Sequence, residues 1–177
     1  MTSLRLFAFS VLVALLAALP AVTLPVPARA AEGEDCDRAA WPLAAERAQL
    51  AAPVRTLENG ARLVLPTDGA VGLALVPAAA GSLPHPPGRT PEEGTTAAAV
   101  LLDVPGPERV WQITVSAAAW IDLFAGEKSL TPMAFTGVHA CPGVRKSLRF
   151  RLPPGAVTLQ VTGASGARIA LVAAPVP

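Results

Sequence analysis

Apolar and polar residues change rhythm twice along this 177-residue chain. At the start there is no alternation: "AFSVLVALLAALPAV" is one apolar run of about fifteen residues. Next, "CDRAAWPLAAERAQLAAP" (36–53) sets Leu43, Arg47 and Leu50 at i, i+4 and i+7 with Glu46 between them. That spacing predicts one short helix within 36–52, of about two to three turns. Pro42 suits its first helical position, Pro53 ends it, and Trp41 is expected to pack at its start.

From residue 60 the period becomes two. "GARLVLP" (60–66) and "AVGLALVP" (70–77), joined by "TDG", read as a hairpin. "AAAVLLDVP" (97–105) and "RVWQITVS" (109–116) flank the turn "GPE", and "AWIDLFAG" (119–126) pairs with "KSLTPMAF" (128–135) around "GE". "RKSLRFRLP" (145–153), "AVTLQVTG" (156–163) and "ARIALVAA" (167–174) complete the set. Leu148, Phe150 and Leu152 share one face of their strand, while Arg145, Ser147, Arg149 and Arg151 share the other. Val157, Leu159 and Val161 alternate with Thr158, Gln160 and Thr162, and Ile169 and Leu171 extend the apolar set. A slip of one residue would turn all of these outward, so the pattern specifies a half-buried sheet. About eight or nine short strands at regular spacing predict a mainly β fold, an antiparallel β-sandwich or jelly roll. Between them, "AAAGSLPHPPGRTPEEGTT" (78–96) has no apolar period and is expected to be a Pro/Gly-rich loop, functional or simply mobile.

The apolar run changes meaning once its flanks are read. Arg5 precedes it, and "PARA" after it places small residues at Ala28 and Ala30. This is the pattern of a secretory signal peptide over 1–30, cleaved after Ala30. The run falls short of the ~20 residues needed to span a bilayer, and Pro20 near its end, with Pro25 and Pro27 after it, interrupts any helical continuation. "GEDC" lacks the leucine and small residues expected before a lipidated cysteine, which argues against a lipoprotein. Residues 31–177 are therefore expected to form a single soluble domain, periplasmic or secreted, with no stable membrane insertion after cleavage. Losing Arg5 and Arg29 with the leader leaves 12 basic against 13 acidic residues. Nothing in that balance calls for nucleic acid or an anionic membrane.

Export also gives the two cysteines a meaning. In an oxidising compartment Cys36 and Cys141 read as a disulfide, closing a loop of about 105 residues. On loop entropy that is worth roughly 4–5 kcal/mol, less any native strain. The alternatives are two free thiols or an intermolecular bridge.

Two stretches carry a resemblance: "CDRAAWPLAAERAQLAAP", and "WIDLFAGEKSLTPMAFTGVHACPGVRKSLRFRLPPGAVTLQVTGA". They resemble a group of small exported alphaproteobacterial proteins with no established function, most of which carry a signal peptide and the same cysteine pair. Their shared marks are a Cys-x(4)-Trp-Pro-Leu helix and a Cys-Pro-Gly-Val-Arg-Lys motif. The second stretch also looks, more loosely, like jelly-roll domains of the prepeptidase C-terminal type, with Val157 where that family's strand has an aromatic. Some members of the first group bear the name homogentisate dioxygenase, which implies a non-haem iron site of two histidines and a carboxylate.

The residues give that site little support. The chain has only two histidines, so His85 and His139 would both have to bind, with Glu92, Glu93 or Asp122 as the third ligand. His85 lies in the Pro/Gly-rich loop and His139 two residues from a disulfide cysteine. Each reads as a solvent-exposed loop residue. H-x-C is half a zinc site, there is no C-x-x-C, and G-x-S-x-G and Walker motifs are missing. No metal, cofactor or catalytic residue is expected. Arg145, Arg149 and Arg151 are the candidate ligand-binding residues, able to grip a sulfated or carboxylated sugar or a lipid phosphate. The plainer expectation pairs them with acids of the same sheet, such as Asp122 or Glu127. With no tyrosine and five phenylalanines, Trp111 and Trp120 are expected to fill the core; an exposed Trp120 would instead offer a sugar-stacking face. The sequence thus predicts an exported, non-enzymatic protein that binds an envelope protein or glycan. A carbohydrate- or polyanion-binding module is the second reading, and a small metal-dependent enzyme the third.

Overall fold

The computed structural model describes residues 36–53, 55–79 and 83–177; the leader expected over 1–30 lies outside the described residues. The helix α1 (Ala44–Leu50) is followed by β1 (Arg55–Leu57), β2 (Arg62–Val64), β3 (Val71–Ala74) and β4 (Val76–Pro77). Then come β5 (Thr96–Val104), β6 (Arg109–Val115), β7 (Trp120–Ala125), β8 (Lys128–Leu130) and β9 (Ala134–Gly137). The last three strands are β10 (Lys146–Leu152), β11 (Gly155–Ala164) and β12 (Arg168–Pro175). One sheet runs β1-β3-β12-β6-β10-β9; the other runs β2-β5-β11-β7-β8, with β4 also on β5.

Alternation decides which side chains meet. Leu73, Trp111, Ile113, Phe150 and Leu171 of the first sheet and Val100, Leu102, Leu123, Val157 and Leu159 of the second belong to one buried cluster. The apolar faces read from β10, β11 and β12 are those that pack inward, because only that register removes both rows of branched side chains from water.

The structure corrects several expectations. Twelve strands are present among the described residues, and the sheets are mixed, since β1 pairs with β3 and β2 with β5 in parallel. The strand order is not that of a jelly roll. Residues 60–77 do not form a hairpin, because β2 and β3 lie in different sheets. Leu65 N–H donates to Asp103 O of the second sheet, and Thr67 N–H to Ala173 O of the first, so the chain steps across where a turn was expected. The segment 128–135 also divides between sheets. Pro132 has no N–H for a ladder, and Met133 N–H then donates to Arg149 O, which hands the chain to β10. The helix spans seven residues, with Leu43 as its N-cap, so Pro42 precedes it. The residues before it are held elsewhere, Cys36 by a disulfide to Cys141 and Ala40 N–H by Thr136 Oγ1 at 3.1 Å.

Both sheets carry a cover on the face turned away from the core. Over the first lie α1 and its lead-in, where Trp41, Leu43 and Leu50 bury against Ala70, Val138, Val144, Ala170 and Val172. Beneath them runs a polar strip. Trp41 Nε1 donates to Ser147 Oγ, Ser147 shares a hydrogen bond with Thr114, and Gln112 Nε2 donates to Glu46 Oε1 at 2.6 Å. Over the second sheet lies the Pro/Gly-rich loop. His85 N–H donates to Gln160 Oε1 at 2.8 Å, and Gln160 Nε2 returns a bond to His85 O at 3.1 Å. The expectation of an exposed loop histidine is corrected: the His85 ring stacks on Phe124 with centroids 4.2 Å apart, and its side chain is only 10% exposed.

Candidate functional site

β7 begins with Trp120, whose side chain falls on the same face as Asp122 and opposite Ile121 and Leu123. The burial expected for it is therefore corrected: Trp120 is 41% exposed, whereas Trp111 is 1% exposed in the core. Trp120 is nevertheless held in place. Its Nε1 donates to Asp122 Oδ1 at 2.9 Å, and Asp122 Oδ2 accepts from Gly88 N–H at 2.9 Å. A side chain at position 88 would put a Cβ 2.7 Å from Asp122 Oδ1, so it would displace the carboxylate that holds Trp120.

Beside Trp120 opens a cleft of about 340 Å³. Its polar lining includes Arg89 and Glu92 from the loop, Arg145 and Lys146 from the start of β10, and Thr162 from β11. Ala118 and Ala119 add apolar surface. Lys146 donates to Ala119 O at 2.8 Å, with its ammonium 5.8 Å from the centroid of the Trp120 ring. Arg145 Nη1 donates to Val138 O at 2.6 Å. Arg89 meets Glu92 at 3.4 Å, and Glu92 is the one acid of the lining among the described residues. Burial first, then the charges of Arg145 and Arg89, hold the Lys146 ammonium below the usual lysine value. The Thr162 hydroxyl is buried and has no hydrogen-bond partner among the described residues. Next to it, Gly163 takes a φ of +70° where β11 slips register against β5.

The three candidate arginines meet three different partners. Arg145 lines the cleft. Arg149 lies under the first sheet's cover, its guanidinium 4.1 Å from the centroid of the Trp41 ring and its Nε donating to Gln112 Oε1 at 3.0 Å. Arg151 stands 4.0 Å from Glu108, both half-exposed, rather than near Asp122 or Glu127. Asp122 is engaged by Trp120 and Gly88, and Glu127 sits 3.6 Å from His85 Nδ1. His139 lines the cleft too, but among the described residues no three His, Cys, Asp or Glu side chains are grouped to hold a metal ion. Sequence reasoning missed Arg89, Lys146 and Thr162. Trp120 had a usable signal, since Ile121 and Leu123 claim the core face and leave Trp120 with Asp122.

No protein-family model matches the chain, and no curated protein matches it either. The chemistry of the cleft is therefore the guide to what the protein does.

Proposed function

We propose that this is an exported, disulfide-stapled β-sandwich protein with a non-catalytic binding role in the cell envelope, periplasmic or secreted, and that the cleft beside Trp120 takes an anionic group of an envelope protein or glycan. One observation carries this reading. Arg89, Arg145 and Lys146 line a single cleft in which, among the described residues, Glu92 is the only acid, and Glu92 is already engaged by Arg89. Like charges brought together repel one another and are kept where something of opposite sign offsets them. The disulfide supports the oxidising compartment that the leader suggests.

The test is equilibrium titration of the disulfide-intact protein with phosphate, sulfate and glucuronate. At least one should bind saturably, and the double variant Arg145→Ala/Lys146→Gln should bind it at least ~10-fold more weakly, as expected when charge-assisted hydrogen bonds are lost. If no anion binds at millimolar concentration, the reading fails.

A further inference from the structure

We infer that the cleft selects an acidic sugar, a pyranose ring bearing a carboxylate, over a bare inorganic anion; this rests on the anion-binding reading above. Its size is the first argument. A volume of about 340 Å³ lies at the small end of ligand sites and suits one or two sugar rings, whereas phosphate alone would leave most of it to water.

The second argument is the Trp120 indole. It is exposed at the cleft, yet its Nε1 is tied to Asp122, which the loop fixes through Gly88. An aromatic plate held this way loses little freedom on binding and presents the flat apolar surface that the C–H face of a sugar ring covers. An inorganic anion makes no use of it. The third argument is the mixture of partners. Lys146 and Arg145 offer charged donors for a carboxylate. The Thr90 and Thr95 hydroxyls in the same lining offer neutral partners of the kind sugar hydroxyls use. Cation, plate and hydroxyls come from β10, β7 and the loop, so the site exists only when the loop lies on the second sheet.

The test compares three probes on the protein with its disulfide intact: glucuronate, glucose and inorganic phosphate, followed by calorimetry and by tryptophan fluorescence. Glucuronate should bind at least ~10-fold more tightly than either glucose or phosphate. Trp120→Ala should weaken glucuronate about tenfold and phosphate much less, because it removes the plate and keeps the cations. Trp120 is 41% exposed and outside the core, so the variant should fold, and a single cooperative thermal transition checks that it does. Lys146→Gln should weaken glucuronate and phosphate alike. If phosphate binds as tightly as glucuronate and Trp120→Ala changes neither, the sugar inference is wrong and the anion-binding reading stands. If neither anion binds, both are wrong.

Discussion

The two covers of this protein do similar work by opposite means. The one over the first sheet is fastened covalently by Cys36–Cys141 and buries Trp41, Leu43 and Leu50 in an apolar patch of its own. The one over the second sheet is a Pro/Gly-rich loop with no such patch among the described residues, held by Gln160, Asp122 and the stacking of His85 on Phe124. The first is built to stay. The second is attached through hydrogen bonds, and it is also the one whose residues Arg89 and Glu92 line the cleft. A binding site needs surroundings that can adjust to a ligand, and segments held by few apolar contacts supply them.

Removing the staple should have the largest effect. Because the disulfide closes a loop of 105 residues, Cys36→Ser/Cys141→Ser should cost several kcal/mol, up to about 4–5, as read by urea denaturation. Its burden should fall on the first cover, with hydrogen exchange rising in α1 before it rises in the loop. Gln160→Leu strikes the other cover. It leaves His85 N–H and C=O without their partner and should cost about 2 kcal/mol. Limited proteolysis should then open the chain within 83–95, while α1 remains protected.

A smaller contrast separates two arginines two residues apart. Arg149→Ala loses the contact with Trp41 and the bond to Gln112 and should cost about 1–2 kcal/mol. Arg151→Ala loses an exposed pairing with Glu108 and should cost under about 1 kcal/mol. Equal costs would remove the distinction drawn between covered and open parts of the same strand face.

The smallest effect expected is a pH dependence. Lys146 releases its proton below 10.5 when folded, so in the alkaline window under that value the unfolded chain holds a proton that the folded one has lost. Stability should therefore rise with pH through that window, and Lys146→Met should flatten the rise. Anion affinity should run the other way, falling as pH climbs and Lys146 loses its charge.

What the sequence disclosed was whatever obeys a local rule. Leu148, Phe150 and Leu152 alternate with polar neighbours, and the structure buries them. The cysteine pairing came from an even count in a chain that reads as exported. The step between sheets at 65–67 was hidden, because it depends on Asp103 and Ala173 accepting bonds from residues far from them in the chain. Arg145, Arg149 and Arg151 looked equivalent because a strand has only two faces, but what covers each differs along its length. The cleft was hidden for a related reason. Arg89, Trp120, Lys146 and Thr162 share no spacing and meet only because β7, β10, β11 and the loop come together there.

The most direct test of the division between a structural cover and a ligand-binding one is hydrogen exchange of the disulfide-intact protein with and without saturating glucuronate. Protection should increase in 88–95, 118–120 and 145–146, while α1 exchanges as before. Unchanged exchange in those three segments, or a change confined to α1, would contradict the account.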